Sequence, residues 1–225
     1  MSVSPEEPPR PMVVVDQVGD MTVVRMCDPS RSNALTPAMV LSVTRAVSEA
    51  KGRALMIRSE GRNFCSGGDH ELFRELSPEG RRQHAAEIKE LMIAVRAASV
   101  PTVACVQGAV IGGGLEMALH CDLIVAADDA RFQLPHVAKG SKMRSTSYAA
   151  LVDRTGIGFA RRMLLLGDLV PAASALAAGL IDHVSRGADL YPTAMSMAAH
   201  LAAAPQDTME HARQALAGAM TGPAH

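Results

Sequence analysis

Tryptophan is absent from the chain, and aromatic residues make up only 3% of it. The core of this 225-residue protein must therefore be built from aliphatic side chains and from its 14 methionines. Excess charge is also absent: the formal net charge is −1, which gives no electrostatic reason to expect binding to nucleic acid or to an anionic membrane surface. Glycine or charged residues interrupt the apolar runs well before they reach bilayer-spanning length, so no membrane helix is predicted.

Several motif classes are missing as well. The four cysteines form no CxxC pair, which favours reduced thiols in a cytoplasmic protein. Neither GxxxxGKS/T nor GxGxxG, the glycine-rich motifs of nucleotide-binding loops, occurs between a predicted strand and a predicted helix. No HExxH motif occurs, and the eight histidines lack the spacing of metal ligands, so no metal site is predicted. A GxSxG nucleophile elbow is also missing, which argues against a covalent acyl-enzyme.

The pattern of apolar residues divides the chain into three parts. Residues 1–11 are polar and proline-rich without the order of a signal peptide, and we expect them to be a disordered lead. Residues 12–185 alternate strand-like and helical patterns, which predicts an α/β core with a partly parallel sheet. Residues 186–225 are predicted to form a C-terminal helical segment. Strands are expected at residues 13–15, 21–26, 54–57, 102–106 and 122–127, and helices at 37–50, 78–98, 115–120, 148–152, 159–166 and 171–178.

One stretch, residues 108–122, stands out for its chemistry. Three consecutive glycines, Gly112, Gly113 and Gly114, separate an apolar strand from the start of a helix. Glycine lets the backbone turn sharply there and lets a ligand approach bare N–H groups. The helix start leaves N–H groups unpaired and carries partial positive charge, and Glu116 follows within one turn. This pattern predicts an anion site beside a potential base.

A second glycine-flanked loop matches the first. Residues 65–69 read Cys-Ser-Gly-Gly-Asp and follow another predicted strand. Backbone N–H groups from two such loops can converge on one oxygen and form an oxyanion hole.

With these loops in view, the chain resembles the crotonase (enoyl-CoA hydratase/isomerase) superfamily. The motifs that carry the resemblance occur in the family's order, at Ser32-Asn33-Ala34-Leu35, residues 63–69, residues 101–122, residues 132–135 and residues 177–182. The resemblance covers roughly residues 13–217. It implies a crotonase-like ββα spiral core and an acyl thioester of coenzyme A as the substrate, with no separate cofactor.

The resemblance also implies roles for individual residues. The backbone N–H groups of Ser66 and Gly113 would hold the thioester oxygen as an enolate forms. Glu116 would act on the attacking water, and a second carboxylate is expected just after Pro135. This chain has His136 there instead, and residues 143–148 replace a glycine-rich turn.

These departures leave the reaction open. Glu116 as base with His136 as its partner can still hydrate an enoyl group or dehydrate a 3-hydroxyacyl group, because histidine titrates near neutrality. The same pair can serve a double-bond isomerase, or a decarboxylase in which Arg144 holds a substrate carboxylate. A hypothesis of another class is a non-catalytic accessory subunit that binds a partner enzyme or a carrier domain.

Other candidates have a functional and a structural interpretation. His70, Arg144 and Tyr148 are predicted to contact the substrate. Lys139, Lys142 and Arg144 could meet phosphates of coenzyme A or a carrier-protein arm, or could be a solvated loop. Glu116 could simply cap its helix, and His120 is interpreted as a core residue.

The end of the chain affects the assembly that we expect. Relatives of this fold usually continue with further helices beyond the segment that corresponds to residues 206–220. We therefore expect a homo-oligomer in which a trimer is doubtful, and an acyl pocket that is either more open or covered by another chain. The expected partners are an acyl-CoA or an acyl carrier protein.

Overall fold

A computed structural model gives the fold and describes residues 11–219, apart from the side chains of residues 70 and 217–219. The strands are β1 (Val13–Val18), β2 (Met21–Met26), β3 (Ala54–Ser59), β4 (Thr102–Val106), β5 (Ala109–Ile111), β6 (Leu123–Ala127), β7 (Arg131–Gln133), β8 (Val170–Pro171) and β9 (His183–Ser185). The α-helices are α1 (Pro37–Ser48), α2 (His70–Glu75), α3 (Pro78–Arg96), α4 (Gly113–Leu119), α5 (Ser145–Arg161), α6 (Ala172–Ala177), α7 (Leu190–Ala203) and α8 (Gln206–Ala219). The predicted lead, residues 1–11, lies outside the described residues except for its last residue.

The main sheet has six strands in the order β1-β2-β3-β4-β6-β9. β1 and β2 form an antiparallel hairpin, and every later neighbour pairs in parallel. A second sheet of three strands has the order β5-β7-β8. Strands and helices alternate along the chain, so the predicted α/β class is confirmed.

The parallel pairing determines where loops from different parts of the chain meet. β3 and β4 pair in parallel, with Ile57 opposite Ala104. Their carboxyl ends therefore lie at one edge of the sheet, and the loops that follow them meet there. This edge is the usual position of ligand sites in open α/β sheets.

Side chains alternate across the main sheet and pack into two apolar clusters. Leu55 and Ile57 of β3 point into a large cluster with α1, α3 and α4, whereas Ala54 and Met56 point to the opposite face. Helix α7 covers that opposite face with three alanines at a spacing of four residues, Ala194, Ala198 and Ala202. Small side chains at this spacing allow the helix to approach the sheet closely. Both faces of the central strands β2, β3, β4 and β6 are thus buried, whereas the edge strand β1 is partly exposed.

Helix starts follow the local signals in the sequence. The Thr36 hydroxyl accepts a hydrogen bond from Met39 N at 3.2 Å, and Pro37 occupies the first position of α1. Ser77 caps α3 in the same way, with Gly80 N at 3.0 Å from its hydroxyl.

One element differs from the sequence-based expectation. The short helix α2 occupies a region for which no helix was predicted, and Asp69 caps it by accepting hydrogen bonds from Glu71 N and Leu72 N.

The two helices expected at residues 148–152 and 159–166 are confirmed. Helix α5 is interrupted by a kink at Gly156, whose φ is +69°, so that one helix lies on each side of this residue. The second helix ends in a five-residue π-helix, Arg162–Leu166. No described helix is both long enough and apolar enough to cross a bilayer.

Candidate active site

The loop after β3 is fastened by a buried asparagine. Asn33 is fully buried and adopts a positive φ of 50°, which asparagine tolerates better than most residues. Its side-chain amide donates to Glu60 O and Asn63 O at 2.9 Å, and its oxygen accepts from Asp28 N at 2.9 Å. The Asn33 side chain therefore holds the start of the loop against the turn before α1.

The same loop then runs alongside β5. Cys65 N donates to Ala109 O at 3.1 Å, and Ile111 N donates to Cys65 O at 3.0 Å. Further along, Leu35 N donates to Gly67 O at 2.8 Å. The two glycine-rich loops of the sequence analysis are thus held next to each other by backbone hydrogen bonds.

Glycine is required where the second loop enters α4. Gly112 has a φ of +52°, in the left-handed region that other residues rarely adopt. A Cβ atom on Gly114 would lie 2.6 Å from Cys65 Cβ, so only glycine lets α4 pack this closely on the neighbouring loop. Both requirements follow from the contact between the two loops.

The backbone donors of the two loops differ from the predicted pair. Ser66 N donates to Ser32 O at 3.0 Å, so this N–H is not available to a substrate oxygen. Among the described residues, no acceptor is hydrogen-bonded to Gly68 N or to Gly113 N, and both residues line one cavity. Gly68 therefore replaces Ser66 as the candidate donor, while Gly113 stays as predicted. The sequence alone could not show whether Ser66 or Gly68 supplies the donor, because both residues flank Gly67.

Glu116 and the two polar residues predicted to accompany it meet at the wall of this cavity. Glu116 lies in α4 and is only 1% exposed. His136 Nε2 lies 3.1 Å from its Oε1. Arg144 Nη1 lies 3.1 Å from Oε1 and 3.2 Å from Oε2. The structure thus brings together all three of these predicted site residues.

These contacts determine the charge of the carboxylate. Burial alone would raise the pKa of Glu116, but the hydrogen bond from His136 and the positive charge of Arg144 outweigh burial and lower the pKa to about 2. Glu116 is therefore ionised throughout the neutral range. A carboxylate that binds protons this weakly is a poor general base.

The two ring nitrogens of His136 have different surroundings. Nε2 of His136 faces Glu116, whereas Nδ1 is buried and has no hydrogen-bond partner among the described residues. His136 lines the cavity. A carboxylate that holds one ring nitrogen fixes the tautomer and orientation of the ring, and leaves the other nitrogen for proton transfer.

The interpretation of Glu116 as a helix cap is not supported. Gly112 N, the backbone group that a capping glutamate would bind, donates to Gln133 O at 2.9 Å instead. The carboxylate points to the start of α5, where Arg144 N lies 3.4 Å from Oε2.

A buried hydroxyl that was not predicted lies beside this carboxylate. Ser147 is fully buried, its hydroxyl lies 3.2 Å from His120 Nε2, and it helps to lower the pKa of Glu116. Burial, followed by the nearby positive charge of Arg96, lowers the pKa of His120 to about 4. His120 is thus a neutral buried residue, as the sequence analysis interpreted it, and Ser147 connects it to the site. The sequence signal was the position of Ser147 three residues after Arg144, on the same face of a helix.

The cavity itself has a volume of about 470 Å³. Besides the groups above, its lining includes Leu35, Phe73, Ile88, Ile111, Lys139 and Lys142. A lining of apolar side chains with a few polar groups is typical of a small-molecule site. No group of three or more potential metal ligands occurs among the described residues.

The two remaining predicted substrate contacts, Tyr148 and His70, have different outcomes. Tyr148 is 38% exposed and does not line the cavity, because it follows the inward-facing Ser147 and so points about 100° away around α5. His70 begins α2, and its side chain lies outside the described residues.

The cysteine of the first loop is not a nucleophile in this setting. Cys65 is fully buried, and burial raises the pKa of its thiol to about 12. The thiolate that nucleophilic attack requires is therefore scarce at neutral pH.

Comparison with known proteins agrees with the geometry of this site. The model of the family described as enoyl-CoA hydratase/isomerase matches residues 17–224. A Mycobacterium bovis protein named "probable enoyl-CoA hydratase" is 31% identical over 209 residues, which are 91% of this chain and 82% of that protein. A crotonyl-CoA hydratase of Syntrophomonas wolfei is 26% identical over 194 residues, 84% of this chain and 75% of that protein.

A solved structure extends the likeness to three dimensions. An enoyl-CoA hydratase subunit from Geobacillus kaustophilus superposes with a TM-score of 0.86 at 27% identity, over 94% of this chain and 83% of that chain. The fold is therefore that of the crotonase superfamily. The chain belongs to the enoyl-CoA hydratase/isomerase family and is an enzyme of the lyase or isomerase type.

Proposed function

We propose that the protein adds water to a 2-enoyl thioester, or removes it from a 3-hydroxyacyl thioester, through an enolate. The thioester is carried by coenzyme A or by a carrier protein. The observation that carries this proposal is the meeting, in one cavity, of the unpaired N–H groups of Gly68 and Gly113 with the buried Glu116–His136 pair. Membership of the family supports the thioester as substrate.

The two N–H groups are assigned to the thioester oxygen. In the enolate this oxygen carries negative charge, and two fixed donors stabilise it more strongly than they stabilise the neutral carbonyl. The donors belong to backbone held by neighbouring strands, so they need no rearrangement when the charge develops.

His136 is assigned the proton transfer and Glu116 the supporting role, which reverses the roles expected from the sequence. The low pKa of Glu116 leaves it ionised, so it holds the His136 ring and stabilises the imidazolium that forms. Nδ1 of His136 has no hydrogen-bond partner among the described residues but is buried, so in this proposal the ring turns toward the cavity as the substrate binds, and Nδ1 then takes or gives the proton.

One proton carrier, His136, is enough for both directions of the reaction. In dehydration, His136 Nδ1 removes the proton from C2, and the electron pair moves into the enolate. The enolate then re-forms the carbonyl and expels the C3 hydroxyl group, which takes the proton from the imidazolium and leaves as water. Hydration follows the same steps in reverse, and no electron donor or acceptor is needed.

Product analysis tests the proposal. The protein is mixed with crotonyl-CoA in ¹⁸O-labelled water and with 3-hydroxybutyryl-CoA, and products are followed by mass. We expect 3-hydroxybutyryl-CoA that contains one ¹⁸O atom, and loss of this activity in H136Q. If no enoyl or hydroxyacyl thioester of four to eight carbons reacts, the catalytic proposal is wrong and the accessory-subunit hypothesis takes its place.

Double-bond isomerisation is the second candidate, and the single free base favours it. One proton carrier is enough to remove a proton from C2 and return it to C4. Formation of 2-enoyl-CoA from a 3-enoyl-CoA, without incorporation of solvent oxygen, would identify this reaction instead.

A further inference from the structure

Arg144 has hydrogen-bonding capacity that the protein does not use. A guanidinium has five N–H donors. Nη1 is the nitrogen that contacts both oxygens of Glu116, whereas Nε and Nη2 have no hydrogen-bond acceptor among the described residues. The side chain is 22% exposed and lines the cavity. Three donors of a largely buried cation are therefore left for a ligand.

The position of Arg144 indicates which part of a ligand can reach it. The guanidinium contacts Glu116, and Glu116 contacts His136, the group assigned to proton transfer at C2. In coenzyme A and in a carrier-protein arm, the pantetheine chain keeps the phosphates far from the thioester. A negative group that binds Arg144 must therefore belong to the acyl chain itself, within a few carbons of the reacting centre.

The charges of the cavity wall favour an anion there. Arg144, Lys139 and Lys142 line the cavity together with Glu116 and Asp69, and Asp69 is paired with Arg31 at 3.1 Å. Lys142 is exposed. The positive charge of Arg144 itself offsets part of the repulsion between Glu116 and a second carboxylate, and a planar guanidinium suits two carboxylates better than an ammonium does.

We propose that the acyl group carries a carboxylate of its own, which Arg144 binds, so that the substrate is the mono-thioester of a short dicarboxylic acid. This proposal rests on the proposed function only for the identity of the thioester. An analogue that ends in a methyl group would leave the three donors of Arg144 without partners, and sites built for a polar group reject such analogues. Because Arg144 is partly exposed and already shared with Glu116, we expect a preference of about 10- to 100-fold.

Binding of saturated analogues tests this without requiring turnover. Succinyl-CoA and butyryl-CoA differ at one end of a four-carbon acyl chain, and their dissociation constants are measured by calorimetry on the full chain. We expect succinyl-CoA to bind about 10- to 100-fold more tightly, R144Q to abolish the preference and R144K to keep part of it. The matched control is K51Q, which removes an exposed cation outside the cavity wall and should keep the preference. Equal binding of the two thioesters by the wild-type protein, or an unchanged preference in R144Q, would overturn the proposal.

Turnover separates this proposal from the proposed function. The kcat/KM for glutaconyl-CoA is divided by the kcat/KM for 2-pentenoyl-CoA. A loss of activity that affects both substrates equally then cancels from the ratio. A binding preference without any turnover supports the carboxylate site and refutes hydration. Equal turnover of both, unchanged in ratio by R144Q, supports hydration and refutes the carboxylate site. Release of carbon dioxide from glutaconyl-CoA supports the carboxylate site and replaces hydration by decarboxylation.

Discussion

The two walls of the cavity are built by different means. The backbone wall consists of Gly67, Gly68, Gly112 and Gly113, and offers N–H groups that are held by strand pairing. The side-chain wall consists of Glu116, His136 and Arg144, and offers charges and one free ring nitrogen. The backbone wall can stabilise an enolate whichever reaction produces it. The choice of reaction therefore depends on the side-chain wall, where this chain departs from the pattern that the family resemblance led us to expect.

The largest expected effect is on the side-chain wall. H136Q removes the assigned proton carrier while it keeps a polar side chain of similar size, and we expect kcat to fall by about 10³-fold. The control is H183Q, because His183 is exposed in β9, away from the cavity. Activity is measured with the substrate that the product analysis identifies. A loss smaller than tenfold would mean that another group carries the proton.

The second effect tests the backbone wall. G68P removes the N–H that is assigned to the thioester oxygen, and we expect kcat to fall by about 10²- to 10³-fold. G68A is the matched control, because a Cβ at Gly68 meets nothing within 4 Å and the N–H is retained. If G68P and G68A are equally active and both folded, the oxyanion hole does not use Gly68. A parallel loss in S66P alone would restore Ser66 to that role.

The contact between the two loops should matter for stability. In G114A the new Cβ would lie 2.6 Å from Cys65 Cβ and 2.7 Å from Cys65 O, and we expect the free energy of unfolding to fall by about 1–3 kcal/mol. G68A again serves as the comparison, since its site has room. Urea unfolding of both variants measures the difference. An equally stable G114A would mean that the loops are not packed as closely as described.

The smallest effect at neutral pH concerns His120. Its pKa is lowered from 6.5 to about 4 in the folded protein, mainly by burial. Below pH 6.5 the unfolded chain binds a proton at this residue that the folded protein does not, so this residue lowers stability progressively from pH 6.5 to pH 4. H120Q should reduce the loss of unfolding free energy over that range by about 2–3 kcal/mol. An unchanged pH dependence between pH 7 and pH 4 would show that His120 titrates normally.

Most of the architecture could be predicted from local signals. The β1–β2 hairpin, α1 with Thr36 as cap, α3 and β4 follow from periodicity and capping residues, and the structure confirms them. Helix α2 could not be predicted, because it has only six residues and depends on the cap at Asp69 rather than on an apolar face.

The sequence predicted which residues form the candidate site better than it predicted the contacts between them. Glu116, Gly113, His136 and Arg144 were identified from their order in the chain, and the structure brings them to one cavity. The ion pair between Arg144 and Glu116 joins residues 28 positions apart, and it depends on how α5 meets α4. Sequence spacing could not show that Arg144 also binds Glu116, or that one ring nitrogen of His136 has no hydrogen-bond partner among the described residues. The predicted homo-oligomer and cytoplasmic location stay predictions.

The pH dependence of kcat/KM tests the assignment of His136 most directly. Wild-type protein and E116Q are compared over the pH range in which both stay folded. If His136 transfers the proton, wild-type activity declines on the acid side well above pH 2, the value near which Glu116 titrates. E116Q then keeps residual activity, because the assigned proton carrier is still present, whereas H136Q does not. Activity that persists unchanged toward pH 3 in the wild-type protein and vanishes in E116Q, while H136Q stays active, would contradict the assignment and make Glu116 the base.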